Sequence, residues 1–459
     1  MTDLNPKRYS LTRKTGIIFL SLIFILGIPA GFSFAYEVNK KAIVLLITKG
    51  PEGKELSTGT GFIVKPDGTL ITNYHVLVDA ASVDAIFDDG NVVPIKGILK
   101  VDRIKDFSLL RLADGIYSTM GIGNSDGIGV YDYAAALGYP SQGVEKGPEN
   151  WKGNLLQVHG FVLGLNKQAF PDFSYIYTTT PFVPGFSGGP LVNRDNQVIG
   201  LATLEGRSIN LALPINHVKP FLNENRLISF DQLREEDKTS KEAMYYRGNF
   251  ALYAMGEPQT AMEFYNKSLG IDPNFVLAHY DLAVAHRERG DLDRCIAAYE
   301  KVLEIQPRFP EALSNLGSQY FRKGQTEKAI GLFKKAIEVY PNFIQALSNL
   351  GASLNKLGRA EEALPHLEKA LALDPEFAVT YYNLGNSLFA AKKYVKARQA
   401  YDNAIKQGID FLSLHWRLFE ISEIQGRKKE AIDQLKIILQ IDPKDEKARK
   451  KLEALQGRR

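Results

Sequence analysis

Cysteine is all but missing. One residue, Cys295, occurs among 459, so no intrachain disulfide can form and the folded parts are held by their apolar cores alone. Cys295 falls at a small-residue helical position and is expected to be a buried structural thiol. An excess of charge is missing too: 56 basic against 52 acidic residues leave a net +4. The basic residues are spread along the chain, so the one-signed field of a nucleic-acid binder is excluded and no nucleic-acid partner is expected. The seven histidines are scattered and no HExxH pattern occurs. Neither a metal site nor a cofactor is expected.

Long apolar runs are absent apart from the one from Gly16 to Tyr36, GIIFLSLIFILGIPAGFSFAY, which comes after Lys7, Arg8, Arg13 and Lys14. At 1.5 Å per residue it is long enough to cross a bilayer, with the basic end in the cytoplasm. Gly27, Pro29 and Gly31 interrupt it, and Ser33-Phe34-Ala35 has the small-x-small form of a signal-peptide cleavage site. A cleaved signal peptide and a retained membrane anchor both remain open, and both export the body of the chain to the periplasm or the cell envelope. Residues 1–36 are therefore set apart as basic tail plus signal or anchor.

From residue 37 to 228 short apolar runs alternate with turn residues. GFIV, KPDG and TLITN read as a hairpin turning on Pro66 and Gly68. Many such strands predict an all-β barrel or sandwich. Residues 229–241, polar and charged, read as a linker or the start of a helix. From 242 the period changes to 34. Gly290, Gly324, Gly358 and Gly426 share one column, with Lys392 in the fifth copy; Cys295, Ala329, Ala363, Ala397 and Ala431 share a second; Pro307, Pro341, Pro375 and Pro443 share a third. The glycine turns the chain between two helices, the small residue lets them approach, and the proline ends the second helix. The pattern resembles tetratricopeptide repeats, with Leu316-Gly317, Tyr320, Gly324, Ala329, Phe333, Ala336 and Pro341 as the cleanest copy. Six repeats are expected over 242–445, with a capping helix over 446–459. The first is ragged, with Asn249 where a small residue is expected.

Three separate segments carry candidate chemistry. LITNYHVLVDA presents His75 after a strand, VDRIKDFSLLRL opens a strand at Asp106, and TTTPFVPGFSGGPLV holds Ser187 in a glycine-rich turn. Each alone is an ordinary turn or strand end. Together, in that order on a many-stranded domain, they resemble the trypsin-like serine proteases, which have two six-stranded barrels, and among them the HtrA type. The resemblance covers roughly residues 40–225. It implies a His75–Asp106–Ser187 triad, in which the imidazole takes the hydroxyl proton and the carboxylate orients the ring. It also implies an oxyanion hole from the backbone N–H groups of Gly185 and Ser187, and a supporting hydroxyl from Thr203.

Two departures stand beside it. Phe186 replaces the Asp or Asn usual before the nucleophile, and Pro184 precedes Gly185; a largely preformed oxyanion hole is expected. The specificity pocket is expected from Pro181, Phe182 and Val183, from Ala202-Thr203-Leu204, and from Asn210 and Leu211 with Ala212. None of these is acidic, so small or medium apolar residues are expected before the scissile bond. The expected function is an exported serine endopeptidase acting on protein substrates. Its repeats would recruit substrate or a partner into their groove, where Asn315, Asn349 and Asn383 recur. The alternative is a catalytically silent envelope scaffold or peptide-binding adaptor. A membrane contact is expected only if residues 16–36 are retained.

Overall fold

A computed structural model describes residues 38–141, 154–166, 174–205 and 210–457. The signal or anchor expected over residues 16–36 lies outside them. Among the described residues no helix is long and apolar enough to cross a membrane.

Twelve strands form two closed antiparallel barrels. The first contains β1 (Ile43–Lys49), β2 (Glu55–Ile63), β3 (Thr69–Thr72), β4 (Ser82–Phe87), β5 (Val92–Asp102) and β6 (Phe107–Leu112), in the order β1-β2-β3-β6-β5-β4. The second contains β7 (Tyr133–Gly138), β8 (Leu156–Asn166), β9 (Tyr175–Thr178), β10 (Pro190–Val192), β11 (Val198–Glu205) and β12 (Asn210–Pro214), in the order β10-β11-β12-β9-β8-β7. The period-2 alternation of side chains explains how each strand serves two cores. Val44, Leu46, Leu70, Val83, Ala85 and Leu110 belong to one cluster within the first barrel, and Ala134, Ala136, Val162, Ile176, Leu191 and Ala212 to its counterpart in the second. The alternate residues, among them Ile43, Leu45, Phe62 and Leu109 with Leu137, Tyr139, Leu201 and Leu213, form a third cluster that joins the barrels. The functional residues sit along this seam.

Residues 229–241, expected as a linker or helix start, are built around α1 (Phe230–Asp237), whose N-terminus is capped by Ser229 accepting from Gln232 N. The sequence there looks polar because its inward face has two apolar residues, Phe230 and Leu233, beside the buried Asp237, and those two complete the apolar cluster of the first barrel. Six helix pairs come next: α2 (Lys241–Asn249) with α3 (Pro258–Ile271), α4 (Val276–Glu288) with α5 (Leu292–Ile305), α6 (Pro310–Arg322) with α7 (Thr326–Val339), α8 (Ile344–Lys356) with α9 (Ala360–Leu373), α10 (Ala378–Ala390) with α11 (Tyr394–Lys406), and α12 (Leu412–Ile424) with α13 (Lys428–Ile441). The last described helix is α14 (Glu446–Gln456).

The columns read in the sequence have clear physical duties. The five small residues, Cys295 included, are buried to within 1 % at the helix contacts. Burial pushes the Cys295 thiol up to about 11, far from a reactive thiolate. The glycine column is left-handed, φ +82° at Gly324 for example, and Lys392 takes the same conformation at φ +58°. In the first repeat Asn249 is displaced from the small-residue role: Gly248 receives the Tyr265 ring, Asn249 Oδ1 accepts from Tyr265 Oη at 2.9 Å, and a π-turn over Phe250–Ala254 absorbs the extra residue. The three recurring asparagines are engaged between repeats. Asn315 donates to Tyr280 Oη (2.8 Å), Asn349 to Ser318 Oγ (3.4 Å) and Asn383 to Ser348 Oγ (3.3 Å).

The array is packed on the barrels. Tyr177 of β9 donates to Glu311 Oε1 of α6 at 2.6 Å, and its ring lies 4.7 Å from that of Tyr340. Burial pushes the Glu311 carboxyl up to about 7.

Candidate active site

The seam between the barrels assembles the three segments from opposite sides. After β3 the chain makes a 3-10 turn, His75–Leu77, whose Val76 carbonyl accepts from Thr48 Oγ1 (2.7 Å) and Ser57 Oγ (3.1 Å). Asp106, buried to 3 % and left-handed at φ +56°, ends the turn before β6. Its carboxylate accepts twice from His75, from the backbone N–H at 2.9 Å and from Nδ1 at 2.7 Å. An ionised carboxylate only accepts, so the ring proton belongs on Nδ1 and Nε2 carries the lone pair.

Asn73 supports this pair. Its Nδ2 donates to the Asp106 carbonyl at 2.6 Å and to Thr203 Oγ1 at 3.0 Å. The Thr203 hydroxyl in turn donates to Leu201 O at 3.1 Å. Thr203, expected to support the aspartate directly, is linked to it through Asn73.

The serine turn arrives from the second barrel and is fastened to the first by Thr60. Thr60 N donates to Ser187 O (2.8 Å), and Thr60 Oγ1 donates to Gly185 O (2.7 Å) while accepting from Tyr139 N (3.0 Å). Two glycines make the approach possible. A methyl group at Gly59 would lie 3.2 Å from Ser187 O and 2.7 Å from Val76 Cγ2, so a side chain there would press on both the serine carbonyl and the residue after His75. Gly188, at φ +84°, has Thr60 O, Thr72 Oγ1 and Asn73 N where a Cβ would stand.

Val183 to Phe186 form a turn closed by Phe186 N donating to Val183 O at 3.0 Å, with Pro184 second and Gly185 third at φ +99°. That is a type II arrangement. Pro184 O accepts from Ser141 N at 2.8 Å, so the planar trans peptide directs the Gly185 N–H to the opposite side. Phe186, fully buried, packs on Gly138 in the core of the second barrel. No group capable of holding a metal cluster occurs among the described residues.

Comparison with known proteins agrees with the two architectures. A family model described as a trypsin-like peptidase domain matches residues 59–201, and tetratricopeptide-repeat models match 252–319, 310–343, 344–377 and 366–399. The chain carries a trypsin-like peptidase domain followed by tetratricopeptide repeats. Over 195 residues it is 32 % identical to a probable periplasmic serine endoprotease DegP-like of Chlamydia pneumoniae, covering 42 % of this chain and 37 % of that one. Over 198 residues it is 31 % identical to the mitochondrial serine protease HTRA2 of Drosophila erecta, covering 42 % and 43 %. The chain thus spans less than half the length of these curated relatives.

Within the peptidase domain the expected pocket residues divide. Phe182, Val183, Ala202 and Ala212 share the apolar cluster of the second barrel, and Asn210 Oδ1 accepts from Phe182 N at 3.1 Å. Pro181 is exposed. Leu211 does not join them. Alternation along β12 turns it to the opposite face, where it packs with Leu201 and Leu213. The Leu204 side chain lies outside the described residues. Two residues that sequence reasoning missed are Thr60 and Asn73. Asn73 stood inside the His75 motif, two residues before the histidine, but only the structure shows it buried; Thr60 lay outside the three motifs.

Proposed function

We propose that this chain is an exported serine endopeptidase whose nucleophile is Ser187, with His75 as general base and Asp106 as the carboxylate that orients it. The observation that carries the reading is the double hydrogen bond from His75 to Asp106, set beside a serine turn pinned to the same barrel through Thr60. In attack, Nε2 would take the Ser187 proton and return it to the leaving amine. The backbone N–H groups of Ser187 and Gly185 would stabilise the oxyanion, each donor being worth about 3 kcal/mol of barrier. The type II turn supports a preformed hole. Labelling by a fluorophosphonate should then proceed equally with and without added peptide; labelling only after peptide addition would count against it.

Phe182, Val183, Ala202 and Ala212 offer an apolar wall to the residue before the scissile bond, which favours small or medium apolar side chains there. Export rests on the basic and apolar character of residues 7–36, and protein substrates on the relatives' printed descriptions. The repeats supply a surface for recruiting substrate or a partner. The deciding experiment compares casein degradation by the wild-type chain and by Ser187→Ala, where loss of a triad member costs about 10⁴ to 10⁶ in rate. Equal, slow degradation by both would replace the enzyme with a binding scaffold.

A further inference from the structure

The first repeat helix reaches into the peptidase domain. Tyr246 of α2 lays its ring over the His75 imidazole, centroids 5.9 Å apart and planes 30° from parallel. Its phenol donates to the Arg103 carbonyl at 3.3 Å, three residues before Asp106. One side chain therefore touches both the ring of the base and the loop that carries its carboxylate partner.

The surroundings fix Tyr246 rather than leave it adaptable. Its ring meets Tyr74 edge-on at 5.5 Å and Tyr245 at 5.1 Å. Next to it, Arg247 grips the Asp79 carboxylate with Nη2 (2.6 Å) and Nε (3.0 Å), fixing the end of the His75 turn. On the other loop, Arg103 Nε donates to Asp237 (2.8 Å) and Nη2 to Glu236 (3.0 Å) at the end of α1. Both loops are thereby clamped to one α1–α2 hairpin. Tyr245 binds back into the array, donating to Asp281 of the next repeat at 2.7 Å. The π-turn over Phe250–Ala254 adds one residue to this helix. With that residue absorbed, Gly248 receives the Tyr265 ring as Gly317 receives Phe333 in the third repeat, and Tyr246, two residues earlier, lies against His75.

We propose that Tyr246 is a positioning residue of the catalytic centre, holding the plane of the His75 imidazole and the Asp106 loop, so that the first repeat is part of the peptidase and not an appendage to it. This rests on the triad reading above. A misplaced base of this kind loses rate without losing substrate binding, and a displacement of about 1 Å costs on the order of a hundredfold.

The test uses the full chain with Tyr246→Ala, Tyr246→Leu and Tyr246→Phe, each checked by thermal unfolding, beside wild type and Ser187→Ala. Loss of the aromatic face in Tyr246→Ala and Tyr246→Leu should lower kcat about tenfold to a hundredfold with KM moving less than about threefold, whereas Tyr246→Phe should stay within about threefold of wild type. A folded Tyr246→Leu with unchanged or raised kcat, or with an effect confined to KM, overturns the proposal. A second readout needs no turnover: the downfield Nδ1 proton resonance of His75 should be seen in wild type and Tyr246→Phe, and should broaden or vanish in Tyr246→Leu. If wild type neither hydrolyses nor labels at Ser187, the triad reading fails by itself. The resonance then still decides whether Tyr246 orders the imidazole, since its persistence unchanged in Tyr246→Leu sinks the idea.

Discussion

Thr60 shows how much a single hydroxyl can hold at the seam. It donates to Gly185 O and accepts from Tyr139 N, so Thr60→Val, nearly identical in shape, strands a part-buried carbonyl and a buried N–H. Each orphan costs about 1 to 3 kcal/mol. Thr60→Val is therefore expected to lower the urea midpoint and to depress kcat through the Gly185 turn, which parallel unfolding and peptidase assays would separate. Asn73 has a similar place on the other side. Asn73→Ala removes the donor shared by Asp106 O and Thr203 Oγ1, and it should cut kcat at least tenfold if the His75–Asp106 geometry depends on that bridge. Retention of wild-type kcat would show that the two hydrogen bonds from His75 suffice. Phe186 answers a question the sequence raised: before Ser187 it serves as a core anchor of the second barrel, packed on Gly138.

At the scale of the element, the repeats were the most legible part. A 34-residue period with glycine, small-residue and proline columns encodes the helix pairs directly, because each column answers to a local steric demand. Two exceptions needed coordinates. Lys392 occupies a left-handed turn at φ +58° that its sister positions give to glycine. Lys392→Gly should stabilise the array by about 0.5 to 1 kcal/mol, seen as a higher midpoint in denaturant. The π-turn of the first repeat was visible only as a ragged copy, since a one-residue insertion looks in sequence like poor consensus. The helix α1 read equally as a linker for a related reason, having just two inward apolar residues within a charged stretch.

For the whole molecule, the interface between barrels and repeats contains a titratable switch in stability. The buried Glu311 carboxyl, bonded to Tyr177, is held protonated up to about 7. In the unfolded chain it ionises near the ordinary carboxylate value, about 4.3. The folded form thus keeps its proton longer. Stability from this group is full below about 4.3 and is lost as pH rises to about 7. Glu311→Gln should flatten that part of the stability profile measured by thermal unfolding between those limits. An unchanged slope would show that Glu311 is solvated. A second expectation comes from Phe230 and Leu233, which complete the first barrel's core: a fragment ending at residue 228 should unfold at lower temperature than one that keeps α1 and α2.

The sequence by itself determined the two architectures, the three segments that carry His75, Asp106 and Ser187 as candidates, and the duties of the repeat columns, because motifs and periods are local and each residue answers to its neighbours in the chain. Tertiary structure alone decided which side Leu211 faces, how Thr60 and Asn73 bind the segments together, and that Tyr246 lies on His75. Those facts depend on contacts between residues far apart in sequence, up to 171 positions for Tyr246 and His75, across a docking surface that leaves no periodic trace.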